Sequence, residues 1–204
     1  MKQLLYKLDS VLKVKNVGLY EKLAAPLTDN SITQLSAEVK FPLPDEVKEL
    51  FKWKNGTILT ENVALGSFWL MPLNTFADIE GSVQYYKNAL EIYNDYNRIP
   101  ENYFPLFHSG GGERTFVDID PASDSFLKLF FYTLSDPDVD IINEYSDSIA
   151  SFLQSIITCY EEDVYYCEKD GFLNCLEKKE SQIFYKNNPG SNYWHFYNEV
   201  YSNK

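Results

Sequence analysis

The sequence predicts a fold of mixed helices and strands built round one antiparallel hairpin. Two observations carry this. First, the apolar run Leu106-Phe107-His108 enters Gly110-Gly111-Gly112, and an alternating stretch, Thr115-Phe116-Val117-Asp118-Ile119-Asp120, leaves it and stops at Pro121. Glycine tolerates positive φ, so the glycine run reverses the chain and makes its flanks sheet neighbours. Second, Phe76, Ile79, Val83, Tyr86, Leu90 and Tyr93 recur at steps of three and four residues, the spacing of one helix face.

The remaining elements follow in chain order. Leu4, Leu5, Leu8, Val11 and Leu12 predict an amphipathic helix from Lys2 to about Val14. Gly18 and Pro26 punctuate the next loop, and Asn30 or Ser31 caps a second helix reaching Glu38. A third helix starts at Pro44-Asp45-Glu46, buries Leu43, Val47, Leu50 and Phe51, and stops at Asn55-Gly56. Val63 to Met71 reads as one or two strands. Asn74 or Thr75 then caps the long helix, from about Phe76 to Tyr96. Strands are expected over Tyr103–Phe107, Thr115–Ile119 and Phe126–Thr133. An acidic loop carries Asp136, Asp138, Asp140, Glu144 and Asp147. Ser146 or Ser148 opens a further helix with Phe152, Leu153, Ile156 and Ile157 buried, and Glu161-Glu162-Asp163 closes its pattern. Leu176 to Tyr185 reads as a short helix, and Tyr193-Trp194-His195-Phe196-Tyr197 is dense enough in aromatics to pack back on the rest. The chain is read as one domain over residues 1–204, with 160–204 as an extension packed on the core.

Bulk composition narrows the function classes. The formal net charge is −12, which repels phosphates and anionic lipid and favours basic protein partners. Neither a nucleic acid nor a membrane is therefore an expected partner. Met1 to Lys7, followed by Asp9, is amphipathic and unlike a signal peptide, and no run approaches transmembrane length. Cys159, Cys167 and Cys175 are odd in number and widely spaced, which suits reduced thiols in the cytoplasm and not a zinc site.

The chemistry-bearing residues mostly read as structural. Glu113-Arg114 after the glycines is not the Lys-Ser/Thr of a phosphate loop, and a strand follows instead of a helix. Asp118 and Asp120 would share a strand face, yet Asp before a proline turn is common for local hydrogen bonds. His108 and His195 have no nucleophile at motif spacing. No catalytic residue, cofactor site or metal site is expected. The carboxylates Asp136, Asp138, Asp140, Glu144, Glu161, Glu162 and Asp163 are solvated faces or places for a basic partner to dock.

In this order the pieces resemble the SUKH superfamily, which includes the fungal cell-wall-synthesis regulators and many bacterial immunity proteins. Leu43-Pro44, a helix, and Asn55-Gly56 resemble its "LP … helix … NG" opening. Gly111-Gly112 leading to Val117-Asp118-Ile119-Asp120-Pro121 is similar to its "GG … LDLDP" hairpin. Phe126–Tyr132 and Ser148-Ile149-Ala150-Ser151-Phe152-Leu153 look like its last strand and helix. The likeness spans about residues 32–153. It implies an α+β domain, a twisted and mainly antiparallel sheet with helices packed around it, and no enzyme. Bacterial members neutralise a cognate toxin, frequently a nuclease, by binding it. The resemblance thus implies a cytoplasmic immunity protein, monomeric or weakly dimeric, facing a basic toxin. A regulatory scaffold of the fungal type is the alternative, and a hydrolase using Asp118, Asp120 and His108 is the third reading.

Overall fold

The computed structural model describes residues 1–93, 99–133 and 142–202. The predicted carboxylates Asp136, Asp138 and Asp140, and the last residues of the helix expected to reach Tyr96, lie outside the described residues. The chain opens with helices α1 (Lys2–Lys15), α2 (Val17–Tyr20), α3 (Asp29–Leu35) and α4 (Asp45–Trp53). A 3-10 turn at Leu65–Phe68 leads into strands β1 (Trp69–Met71) and β2 (Asn74–Phe76), then helix α5 (Ile79–Tyr93). Strands β3 (Tyr103–His108), β4 (Arg114–Asp118), β5 (Leu129–Tyr132) and β6 (Ile142–Ser146) follow, then α6 (Ile149–Glu161). A small hairpin, β7 (Tyr165–Cys167) and β8 (Leu173–Cys175), and helices α7 (Glu177–Asn187) and α8 (Asn192–Ser202) complete it.

Strands β1 to β6 form one curled antiparallel sheet in chain order, with helices around it, an α+β fold. The glycine turn is a hairpin as expected, pairing Tyr103 with Asp118 and His108 with Arg114. Gly110 and Gly112 take φ of +88° and +131° in it. Pro105 sits in β3 where the register slips, so that Leu106 is the extra residue of a bulge. Bulges are where a strand accepts proline, which cannot donate to the ladder.

Several boundaries differ from expectation, each for a local reason. Asn74 and Thr75 belong to β2 and do not cap α5. The Asn74 side chain is buried and accepts a hydrogen bond from the Thr115 hydroxyl at 2.5 Å across the sheet. Asp78 caps α5 instead, its carboxylate accepting from the Gly81 N–H at 2.6 Å. Thr28, not Asn30 or Ser31, caps α3, which ends at Leu35 instead of Glu38. Pro44 is the cap of α4 and lies one residue outside its first turn. Glu144 lies within β6, where the sequence predicts a loop, and the hairpin β7–β8 has no counterpart among the expected elements. Ser148 caps α6 through a reciprocal box with Ser151.

The core runs continuously from the sheet into the flanking helices. Helix α1 packs on α6 through Leu5, Leu8 and Leu12, all buried. Asn16, at the end of α1, donates to the Tyr160 hydroxyl at 3.2 Å, and that hydroxyl donates to the Leu70 carbonyl at 3.0 Å. Helix α7 packs on α6 and α8 packs on α7 and β6. Trp194 stacks on Phe184 at 4.4 Å and on Tyr145 at 5.2 Å, joining the C-terminal helices to the sheet.

The Asn55-Gly56 pair fixes how α4 meets the sheet. Gly56 has φ +77°, and a Cβ there would fall 2.3 Å from the Asp78 nitrogen and 2.6 Å from the Ala77 carbonyl carbon. The neighbouring Thr57 N–H bonds the Phe76 carbonyl at 2.9 Å. Gly56→Ala should therefore destabilise the protein by more than the roughly 1–2 kcal/mol of a left-handed residue alone. Gly112, at φ +131°, lies outside the left-handed well but has open space around an added methyl, so Gly112→Ala should cost a backbone amount of about 1–3 kcal/mol without a clash. Urea unfolding of the two variants checks the ranking.

Candidate functional site

A groove of about 800 Å³ lies between the sheet and the start of α5. Its floor is Phe76 of β2 with Pro105, Phe107 and His108 of β3. One wall is the α5 face carrying Gly81, Gln84 and Tyr85, and the other is the Thr57–Leu59 segment after α4. The pairing of Thr75 with His108 and of Phe76 with Phe107 sets the floor residues side by side. Gly81 leaves the helix wall without a side chain at that point.

Polar groups ring an apolar base. Asn55 closes one end; its carbonyl oxygen accepts from the Ile79 N–H at 3.0 Å and its amide donates to Glu80 at 3.4 Å. Asn55, one residue past the Lys54 cap of α4, therefore helps cap α5. Asp78 and Glu80 are exposed carboxylates on the rim. Ile58 and Leu59 stand 56% and 53% exposed on the opposite lip, side by side at the mouth of the groove. The Arg114 guanidinium lies 4.5 Å from the centre of the Tyr85 ring, a cation–π pair at the far end. Burial, with Arg114 beside it, pushes His108 down to about 4 against a smaller opposing pull from Asp78. The imidazole is neutral at physiological pH. The groove thus offers an apolar bed, a neutral ring, one cation and two carboxylates.

Of the residues singled out in the sequence, Asn55 and His108 line this groove. Gly56 supports it from behind, and Leu43 is buried core. Gly111 and Gly112 form the hairpin turn, and Gly111 donates its N–H to the Ser109 hydroxyl at 2.9 Å. Asp118 lies five residues along β3 from His108 in the pairing, about 17 Å at roughly 3.4 Å per residue. The Asp118, Asp120 and His108 set is therefore not assembled. Asp118 is fully buried and accepts from Asn102 at 2.7 Å, from Ser123 at 2.5 Å, from Ser125 at 2.6 Å and from the Asp120 N–H at 3.0 Å. Burial alone would raise its carboxyl, but these donors outweigh it and hold the group below the usual range. Asp120 accepts from the Ala122 N–H in the same turn. Among the docking carboxylates, Glu161 pairs with Lys7 at 2.9 Å, Asp163 with Lys15 at 2.6 Å and Glu144 with Lys128 at 3.3 Å. Glu162 is exposed at the end of α6. None of the four lines the groove.

Tyr85, Arg114, Ile58 and Asp78 are the groove residues that motif reading missed. They come from separate segments and have no shared spacing. The one signal available was the aliphatic pair Ile58-Leu59, one residue past Asn55-Gly56 and followed by the polar run Thr60-Glu61-Asn62.

The His108 environment has a testable consequence. A folded pKa below the unfolded value of about 6.5 means that the unfolded chain takes up the proton first. The stability held above that value falls as pH drops toward about 4 and then levels. NMR titration should show the His108 ring protonating near 4. Arg114→Gln should move that midpoint upward by removing the repulsion. An unchanged midpoint in the variant would show burial acting alone.

The geometry can now be set beside known proteins. No curated protein matches the chain. A family model, the SMI1/KNR4 family (SUKH-1), matches residues 26–155. That span includes Asn55-Gly56, the whole groove except Ala24, the glycine hairpin and Asp118, and it ends inside α6. The chain belongs to the SMI1/KNR4 family (SUKH-1).

Proposed function

We propose that this protein is an immunity protein that neutralises a cognate toxin by binding it, with the groove between α5 and the Thr57–Leu59 segment as the contact surface. The reading rests on the family, whose bacterial members act this way, and on one observation. Exposed Ile58 and Leu59 face Tyr85 across an apolar floor, under a rim that carries Asp78 and Glu80. Aromatic and aliphatic side chains in a concave bed supply binding energy, and carboxylates around them select a basic partner. The chain's charge of −12 extends that selection to long range and speeds the encounter. A nuclease, which must be basic to hold phosphate, is the partner class that this field attracts best. In this reading the protein makes and breaks no bond and works in the cytoplasm with its toxin.

The product of the neighbouring reading frame, co-expressed with this chain, should be captured with it and lose its toxicity. Tyr85→Ala and Ile58→Asp should each weaken capture at least about tenfold, the size of a hot-spot loss. Glu162→Ala, away from the groove, should leave it within about twofold. Rescue of growth without physical capture would favour a regulatory scaffold instead.

A further inference from the structure

A second concavity lies on a different face and shares no residue with the groove. It is a slot of about 230 Å³ among α7, α8 and the β1–β2 turn. Tyr145, Tyr193, Trp194, Tyr197 and Tyr201 line it, and Glu180 sits at its base, 6% exposed. The volume is below the roughly 300–1,000 Å³ of sites that enclose a drug-sized ligand. It suits the head of a single side chain or a small ion.

The chemistry of the lining points to charge. Glu180 accepts from the Tyr165 hydroxyl at 2.6 Å and from the Cys175 thiol at 3.3 Å. Both donors are neutral. The ionisable groups acting on it are tyrosines, cysteines and another acid: Tyr165 and Cys175 from the small hairpin, Cys159 from α6, Tyr145 from β6, Tyr193 and Tyr201 from α8, and Glu177 from its own helix. A buried carboxylate without a counter-charge is costly, and a buried ion is ordinarily paired. Burial accordingly pushes Glu180 up to about 7, against the pull of the two donors. Beside it, Trp194 is nine-tenths buried and lines the slot with its ring. Tyr193, Tyr197 and Tyr201 follow one another along α8, with ring centres 4.7 Å and 6.0 Å apart. Aromatic ring faces next to a carboxylate are the elements that bind organic cations, through ring quadrupole and charge together.

We propose that this slot binds one organic cation, an alkylammonium or guanidinium head, against Glu180 and the α8 tyrosines. Two sources share that chemistry: a free small amine, and the lysine or arginine side chain of a partner protein. The inference stands apart from the groove and from the immunity reading, because its test uses neither.

The full-length protein would be titrated with n-butylammonium, tetramethylammonium and methylguanidinium chlorides at fixed ionic strength, with n-butanol as the neutral control. The indole N–H signals of Trp53, Trp69 and Trp194 would be followed by NMR. Saturable movement of the Trp194 signal alone, absent with butanol, is expected. Tyr201→Leu, at a partly exposed position near the C-terminus, should weaken binding at least about fivefold, and Glu180→Gln at least about tenfold. A cation favours the ionised carboxylate, so affinity should rise from about pH 6 to about pH 8 with release of a proton. Lys- and Arg-containing tripeptides form a second arm. Tighter binding than the free amines assigns the slot to a partner's side chain, and weaker binding assigns it to a small amine. The proposal is overturned if no cation gives a saturable response, if butanol does as well, or if both variants bind like the parent. Should Glu180→Gln fail to fold, Tyr201→Leu and the pH series decide the matter alone.

Discussion

The structure depends most on one tyrosine made available by a bulge. In β6, Ser146 pairs with Leu129 and Glu144 with Phe130, so Tyr145 between them has no opposite number. A bulge re-aims its extra residue, and here the side chain is buried in the aromatic centre of the molecule. Its ring meets Phe131 of the sheet at 5.0 Å, Phe152 of α6 at 6.0 Å, Phe184 of α7 at 6.4 Å, and Tyr193 and Trp194 of α8 at 5.0 and 5.2 Å. Its hydroxyl meets the Asn74 amide and the Met71 sulfur. Each such ring pair is worth about 0.5–1.5 kcal/mol beyond the area it buries. One position inside the family match thereby holds the two helices that lie outside it. Helix α1, also outside the match, is held on the other side of α6 by its leucines and by the Asn16–Tyr160 contact.

This arrangement explains which parts of the fold could be read in advance. Helices α1, α4, α5 and α6 each carry several turns of apolar periodicity, and the glycine hairpin has no good alternative conformation. Strands β1, β2, β7 and β8 are three residues long, too short to display an alternating pattern. Asn74 and Thr75 are good capping residues by type, and it is their pairing with β1 and β3, beside the Asn74–Thr115 bond, that makes them strand. In β6 burial alternates through Tyr145 and breaks only at Ser146, but the buried Asn143 and Ser146 are polar, so no apolar alternation marks the strand.

The candidate site was less legible than the fold because function here rests on convergence. The Asn55-Gly56 motif could be seen to end a helix; its second role, capping α5 from 24 residues away in sequence, has no local signature. Tyr85 and Arg114 meet only because β4 runs back past β3 beside α5. Charge was the opposite case, plain in composition yet poor at locating a surface. Of the named acidic residues that the structure describes, Glu144, Glu161 and Asp163 are engaged by lysines. Exposed pairs of that kind contribute roughly 0–1 kcal/mol each and serve mostly to quiet the local field.

In the proposed function, this member of the family presents the α5 groove to another protein. Backbone hydrogen exchange on the chain, alone and mixed with the product of its neighbouring reading frame, tests that most directly. Slowed exchange in the Thr57–Leu59 segment and the first turns of α5 is the predicted footprint. A complex whose protection falls wholly elsewhere, with those amides exchanging as in the free protein, would contradict it.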